Sequence, residues 1–297
     1  NVTLMGGGFG RRLFSDYIPD AVEVSKKVKK PVKLLWTRED DMQHDFYRPA
    51  SLHKLKGSLS GKNLISWKHR IISPSISGQR SPERFKNGQL DRSAVNGANN
   101  LPYDISNILV DYIMSNTEVP VGWWRSVYNS QNAFANEVFM DELAHKAGVD
   151  ALEFRMKMLN NSPRHKEVLK LAADKAGWGK KLPNGQGMGL ALHESFGSWS
   201  AQVATVTVSK DGNISVDEII ASVDCGTVIN PDGVKAQMEG SIVYGLTSTL
   251  KGEITIDKGA VAQTNFHEFE LLQIDEMPKV EIHIVPSSEP PGGAGEP

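Results

Sequence analysis

The order of helical and strand-like patterns limits the fold class of this chain. Apolar residues recur at helical spacing over residues 132–147, 150–159 and 166–176. After Gly185 the pattern changes to short alternating or continuous apolar segments, which is typical of strands. Because helices and strands do not alternate one for one, the sequence predicts an α+β fold rather than a doubly wound α/β sheet.

Other local patterns predict further elements. Helical spacing predicts helices over 19–30 and 234–250, and the order Thr37-Arg38-Glu39-Asp40 has the spacing of a capping box. Two strand-like segments at 52–59 and 64–72 predict a hairpin, whereas residues 73–107 predict a long loop. The remaining predicted strands are 2–5, 32–36, 202–209, 214–223, 253–256, 261–265 and 280–285.

Size and charge exclude several classes of protein. With 297 residues and 39% hydrophobic residues, the chain is long enough for about two domains with a buried core. The formal net charge of −2, without a long basic run, argues against a nucleic-acid partner. No uncharged apolar run approaches the roughly 18 residues of a spanning helix, so we expect no transmembrane segment.

Cysteine and histidine usage argues against a protein-ligated metal site. The single cysteine, Cys225, cannot form an intrachain disulfide, and alone it cannot hold an iron–sulfur cluster, which takes about four thiolates. No histidine stands in a nucleophile-activating pattern with it, and a small buried side chain is the favoured interpretation. The histidines show no metal-ligand spacing, so we predict no side-chain metal ligands.

A glycine cluster at Gly6-Gly7-Gly8-Phe9-Gly10 is the first candidate binding segment. Such a cluster indicates positive φ or close backbone approach, and its bare N–H groups could surround anionic oxygens. The Arg11-Arg12 pair that follows would add anion affinity, although such pairs are often only solvated. The segment matches neither G-x-G-x-x-G nor a P-loop, so a purely structural turn remains the alternative.

Two tryptophans and a cation precede the clearest helix. Arg125 and Ser126 follow Trp123 and Trp124, and they lie where a ligand oxygen could meet oriented donors. The alternative is that the tryptophans belong to the core and Arg125 stacks on them.

The last third of the chain holds two further candidates. The segment from Asp224-Cys225-Gly226 to Gln237 joins a strand end to a helix start, where ligand groups often converge. Glu296 is the single carboxylate of a Pro- and Gly-rich loop, which suits a positioned general base. A carboxylate on a loop is otherwise usually solvated, and that interpretation stays open.

Taken in order, these motifs closely resemble the large, molybdenum-binding subunit of the xanthine dehydrogenase and aldehyde oxidase family. The likeness runs from one end of the chain to the other. The motifs are Gly6-Gly7-Gly8-Phe9-Gly10-Arg11-Arg12, Trp36-Thr37-Arg38-Glu39-Asp40-Asp41, Trp124-Arg125-Ser126, Asn132-Ala133-Phe134, Asp141-Glu142-Leu143-Ala144, Asp224-Cys225-Gly226, Asn230-Pro231, Gln237-Met238-Glu239-Gly240 and Gly295-Glu296-Pro297.

The resemblance implies molybdopterin-binding domains with mixed sheets and flanking helices, a first region at 1–160 and a second at 161–297. It implies a molybdenum–pterin cofactor, in the cytosine dinucleotide form. The residues implied to line the metal end of that cofactor are Gly7, Gly8, Phe9 and Gly10. Arg125 and Ser126 are implied on the pterin side, Gln237 is implied to contact the cofactor, and Glu296 matches the glutamate base.

The implied reaction is hydroxylation of an electron-poor carbon next to a ring nitrogen, with water as the oxygen donor. A separate small subunit with two [2Fe-2S] clusters is the expected electron-accepting partner. An aldehyde substrate and a cofactor-free, non-catalytic module remain alternatives. Asn1 at the start and a Gly/Pro loop at the end lead us to expect a fragment of a longer polypeptide, inactive when isolated.

Overall fold

The computed structural model of the chain describes Leu4, residues 6–86 and residues 88–296. Residues 2, 3 and 5 of the predicted strand 2–5 lie outside that part. The helices are α1 (Tyr17–Val28), α2 (Arg38–Gln43), α3 (Ile76–Arg80), α4 (Asn129–Ala147), α5 (Ala151–Met156), α6 (Pro163–Ala176) and α7 (Pro231–Leu250). The strands are β1 (Leu52–Ser60), β2 (Asn63–Ser73), β3 (Asn107–Met114), β4 (Gln186–Ser195), β5 (Ser198–Val208), β6 (Ile214–Asp224), β7 (Ile256–Asp257), β8 (Ala260–Val261) and β9 (Lys279–Ile284).

The first sheet has the order β1-β2-β3. β1 and β2 form the predicted antiparallel hairpin, which turns between Ser60 and Asn63. β3, which the sequence patterns did not reveal, pairs parallel to β2. The long 73–107 segment connects β2 to β3, and the elements among its described residues are α3 and short 3₁₀ turns.

The second sheet has the order β4-β5-β6-β9. Its first three strands are antiparallel, and β9 pairs parallel to β6. α6 packs against this sheet through Val168, Leu169 and Ala172, which are fully buried. Mixed sheets with helices against them confirm the predicted fold class.

One main core joins the two sheets. It contains Trp67 of β2, Leu143 of α4, Leu169 of α6 and Val203 of β5, all buried. A second, smaller core lies between β6 and α7, around Val223 and Met238. Among the described residues, no helix has the length and apolarity needed to span a membrane.

The strand predicted over 32–36 is wrong. These residues make no strand ladder, and Leu35 is 81% exposed. A strand exists only where a neighbour satisfies its backbone groups, and no described strand lies beside this one. For the same reason the strands predicted at 253–256 and 261–265 shrink to β7 and β8, which pair only with each other.

The clearest helix, α4, buries more than its predicted apolar face. Ala135 and Leu143 are buried as predicted, whereas Val138 is 44% exposed. Three asparagines on the same buried face, at 129, 132 and 136, are also buried. The Asn132 amide donates to the carbonyls of Ala94 and Asn96, and the other two make further contacts described below.

Candidate functional site

The glycine cluster needs glycine most clearly at one position. Gly10 has φ 79°, and a Cβ there would lie 1.8 Å from the carbonyl oxygen of Trp123. Gly8 has no such restraint, because its Cβ would meet only the Arg12 side chain at 3.7 Å. Gly10 therefore fixes the cluster against the tryptophan segment, as expected from a close backbone approach.

Arg11 is engaged within the protein. Its guanidinium contacts Asp16 at 2.7 Å and Asp45 at 2.9 Å, and the hydrogen bond with Asp16 raises its pKa. Arg12 is exposed and is the member of the pair that faces solvent.

The Trp124–Val127 segment forms an unusual turn. Ser126 has φ 60° and Val127 has φ 52°, so two consecutive non-glycine residues are left-handed. This conformation is rare for a β-branched residue and persists only where its surroundings hold it. The turn directs the Ser126 N–H to Oε2 of Glu296, 3.1 Å away.

The tryptophans are only partly accounted for by core packing. Trp123 packs on Phe14, with ring centroids 5.1 Å apart, and joins a small buried cluster. Trp124 faces Tyr244 at 5.6 Å, and the Arg48 guanidinium lies over its ring. Arg125 does not stack on either indole.

Arg125 instead reaches α7. Its NH2 donates to the carbonyl oxygen of Gln237 at 3.0 Å and lies 3.5 Å from the Gln237 side-chain oxygen. The guanidinium lies over Tyr244 at 5.5 Å, and burial lowers the pKa of Arg125. Its Nε is buried and has no hydrogen-bond partner among the described residues, which leaves a cationic donor that a ligand acceptor could satisfy.

The loop that carries Glu296 is held by two close backbone approaches. A Cβ at Gly292 would lie 2.0 Å from the carbonyl oxygen of Gly197, and a Cβ at Gly226 would lie 2.1 Å from that of Pro290. The Gly292 N–H donates to the carbonyl of Cys225 at 2.8 Å. These contacts place the loop between the β4–β5 turn and the end of β6.

The residues at the end of β6, beside this loop, have a structural role. Asp224 receives two hydrogen bonds of 2.5 Å from Arg164 and one from the Gly226 N–H. Cys225 is buried, and desolvation raises the pKa of its thiol, which disfavours the reactive thiolate. These facts support the interpretation of Cys225 as a small buried side chain.

Four segments far apart in the chain therefore meet. Gly10 contacts Trp123, Arg125 contacts Gln237, and Ser126 binds Glu296. The Phe9 ring, which is 70% exposed, lies parallel to the Tyr244 ring at 6.2 Å. Of the predicted site residues, Gly7 lies beside the Phe9 ring, and a Cβ at Gly8 would meet only the Arg12 side chain.

Tyr244 is the residue of this region that the motifs missed. It touches the Phe9, Trp124 and Arg125 side chains. Its spacing could have revealed it, because positions 237, 240 and 244 lie on one face of the predicted helix. Within the described ranges, no group of three or more His, Cys, Asp or Glu side chains could hold a metal ion.

The residues present fit an anionic, oxygen-rich cofactor. The Arg125 Nε, which has no hydrogen-bond partner among the described residues, the exposed Gln237 side chain and the exposed backbone of Gly6, Gly7 and Gly8 supply donors. Glu296 is the one described carboxylate that contacts the 123–127 turn.

Comparison with known proteins agrees with this picture. A family model described as molybdopterin cofactor-binding domain matches residues 1–159, and a second model of that description matches 140–278. Isoquinoline 1-oxidoreductase subunit beta of Brevundimonas diminuta is 29% identical over all of this chain and 39% of its own length. A membrane-bound aldehyde dehydrogenase of Gluconacetobacter polyoxogenes is 31% identical over 99% of this chain and 42% of its own. The chain thus spans about two fifths of the length of these relatives.

Solved structures share the fold. Quinoline 2-oxidoreductase from Pseudomonas putida 86 superposes with a TM-score of 0.79 at 12% identity, covering 98% of this chain and 63% of that one. Aldehyde oxidoreductase from Desulfovibrio gigas gives 0.77 at 15% identity, covering 98% and 50%. Since a family model matches more than half of the chain, the chain belongs to the family of molybdopterin cofactor-binding domains, as the sequence resemblance indicated.

Proposed function

We propose that the chain is part of the molybdenum-binding subunit of a hydroxylase that oxidises an N-heterocycle such as isoquinoline at the carbon next to nitrogen. The observation that carries this proposal is the contact between Glu296 and the Ser126 N–H, beside Arg125 and Gln237. It brings a carboxylate to the 123–127 turn, which itself contacts the glycine cluster and α7. The similarity to isoquinoline 1-oxidoreductase subunit beta supports the substrate class.

Glu296 is the proposed general base. Its Oε2 accepts the Ser126 N–H, which fixes the carboxylate and leaves Oε1 to take a proton. A base held in this way can deprotonate the hydroxyl group that supplies oxygen to the substrate carbon. Glu296 is exposed, as the solvated-loop alternative also expects, and the hydrogen bond from the Ser126 N–H is the observation that favours the base.

The cofactor would be held by the donors around the base. The backbone of Gly7, Gly8, Phe9 and Gly10 would line its metal end, Arg125 and Ser126 its pterin side, and Gln237 would contact it from α7. When bound, the molybdenum–pterin group, proposed in its cytosine dinucleotide form, accepts the two electrons that leave the substrate. The Arg125 cation, with its unsatisfied Nε, would neutralise part of the cofactor's negative charge.

We also propose a partner subunit with two [2Fe-2S] clusters. The electrons need a carrier, and the single buried Cys225 cannot ligate a cluster. Copurification of a small iron–sulfur protein, detected by its visible spectrum, tests this assignment.

The substitution Glu296→Gln tests the function. It keeps the hydrogen-bonding shape but removes the proton acceptor, so substrate-driven reduction of the molybdenum-loaded enzyme should slow by about 10²–10⁴-fold. The measurement is stopped-flow reduction by isoquinoline, with molybdenum content determined in parallel. Glu289→Gln, in the same loop, is the matched control and should keep the wild-type rate.

A Glu296→Gln rate within about threefold of wild type, at equal molybdenum content, would remove Glu296 from the mechanism. A preparation without molybdenum or pterin, even with the partner present, would favour the cofactor-free module.

An aldehyde is the second candidate substrate. Relatives whose names specify aldehydes include the Gluconacetobacter protein, at 31% identity, and the aldehyde oxidoreductase subunit PaoC of Escherichia coli K12, at 25%. Reduction by benzaldehyde but not isoquinoline would select this alternative, and Glu296→Gln should slow that reaction as well.

A further inference from the structure

His193 lies on β4 and reaches the beginning of α4. Its Nε2 is 3.1 Å from Oδ1 of Asn129, and because an amide oxygen can only accept, Nε2 carries the proton of this bond. The contact depends on Gly97, where φ is 79° and a Cβ would lie 2.8 Å from both Asn129 Oδ1 and His193 Cε1. Burial lowers the pKa of His193 to about 4, so the ring is neutral near pH 7.

Asn129 connects this contact to the left-handed turn. It is the first residue of α4, only 6% exposed, and its backbone N–H donates to the carbonyl of Ser126 at 3.0 Å. The preceding residue, Tyr128, is held by its hydroxyl group, which donates to the carbonyl of Pro74 and accepts the Ile76 N–H. The strained residues Ser126 and Val127 therefore precede two anchored ones.

We propose that the His193–Asn129 hydrogen bond positions the Ser126 N–H toward Glu296, which makes His193 a positioning residue for the base. The catalytic role of this positioning rests on the proposed function, whereas the His193–Asn129 hydrogen bond does not. Its chain of contacts runs from β4 through the Asn129 side chain and backbone to Ser126 and then to the carboxylate.

Two other asparagines anchor α4 independently of His193. Asn132 and Asn136 donate to the carbonyls of Ala94, Asn96 and Gly97, and none of these bonds involves His193. Loss of the His193–Asn129 hydrogen bond should therefore leave α4 in place and change only the conformation of the left-handed turn at Ser126 and Val127.

The test is hydrogen exchange of the Ser126 amide, resolved by mass spectrometry with electron-transfer fragmentation. Glu296→Ala removes the acceptor and sets the rate of the unprotected amide. His193→Phe keeps a ring but loses the donor, so we expect exchange at Ser126 to accelerate about tenfold or more, toward the Glu296→Ala value. His193→Gln can place an N–H near the Nε2 position and should stay within twofold of wild type.

Asn129 gives an independent pair from the other side of the bond. Asn129→Leu removes the acceptor and should behave like His193→Phe, whereas Asn129→Asp keeps it and should protect Ser126. If His193→Phe does not fold, this pair decides. His145→Phe, at the exposed far end of α4, is the matched control.

Unchanged Ser126 exchange in folded His193→Phe and Asn129→Leu overturns the proposal. Acceleration that extends equally over 132–147 also overturns it, because it reports unfolding of the helix. The proposed function fails separately: a normal reduction rate in Glu296→Gln would end the base assignment while leaving the exchange result intact.

Discussion

At the scale of single residues, a buried charge cluster holds several elements together. Arg155 is fully buried and donates to Glu137 at 2.9 Å, while the Tyr103 hydroxyl donates to the other Glu137 oxygen at 2.8 Å. The Leu192 N–H, on β4, also donates to Glu137. This carboxylate therefore links α4, α5 and the second sheet.

The substitution Glu137→Leu leaves the Arg155 guanidinium buried without its main partner. We expect the free energy of unfolding to fall by about 3–5 kcal/mol, measured by urea denaturation. Asp174→Asn, which breaks the exposed pair with Lys170, should cost only about 0.5 kcal/mol. Similar losses in the two variants would contradict the role of burial.

His69 predicts an acid-sensitive contribution to stability. Burial, with help from the neighbouring His53, lowers its pKa to about 4 from an ordinary value of 6.5. Between these values the unfolded chain binds a proton that the folded chain does not. Its contribution is therefore complete above pH 6.5 and is lost as pH falls toward 4, by up to about 1.4 kcal/mol per pH unit.

Urea denaturation of His69→Gln between pH 4 and 7 checks this sign. The variant should lose stability less steeply on acidification than wild type, whereas His145→Gln, on the surface, should follow the wild-type slope. His165 and His193, also lowered to about 4, remain in both proteins and cancel in the comparison. Parallel curves for His69→Gln and wild type would refute the assignment.

At the scale of elements, the loop carrying Glu296 depends on contact between two glycines. A Cβ at Gly292 would clash with the Gly197 carbonyl, but a Cβ at Gly295 would meet nothing within 4 Å. Gly292→Ala should therefore break the bonds from Gly292 to Cys225 and from Gly293 to Phe196. At about 0.5–1.5 kcal/mol each, this loss should open the loop about tenfold or more.

Limited proteolysis of residues 286–296 measures that opening. Gly292→Ala should be cut at least about tenfold faster than wild type, and Gly295→Ala at the wild-type rate. Equal cleavage of the two variants would show that the close approach does not hold the loop.

At the scale of the whole molecule, the main core makes the two sheets interdependent. Leu169 of α6 is fully buried in the cluster that also contains Trp67 of the first sheet and Val203 of the second. Leu169→Ala should cost about 2–5 kcal/mol. We expect the most protected amides of β2 and β5 to lose the same free energy of exchange, because both report global unfolding.

Native-state hydrogen exchange of Leu169→Ala tests this coupling. Met188→Ala, at the partly buried edge of the core, should give a smaller but equally shared loss. Loss of protection in β5 alone would mean that the sheets unfold separately.

The sequence by itself determined the elements whose forces are local. The capping box is present, with Thr37 accepting the Asp40 N–H and Asp40 accepting the Thr37 N–H. The β1–β2 hairpin and the helices α4, α6 and α7 also lie where periodicity and turn residues predicted them. The α+β class followed from their order, and the ordered motifs indicated the family.

The tertiary structure alone decided whether segments such as β4 and 32–36 form strands, and which donors meet. β4, with glycines at 187 and 189, has a weak pattern and is a strand because β5 satisfies its backbone, whereas 32–36 has a strong pattern and no described neighbour. Ser126 and Glu296 are 170 positions apart, and His193 and Asn129 are 64 apart. Hydrogen bonds between such distant residues form only when loops and sheets bring them together in the folded chain. Local periodicity reports on neighbouring residues and therefore cannot predict these contacts.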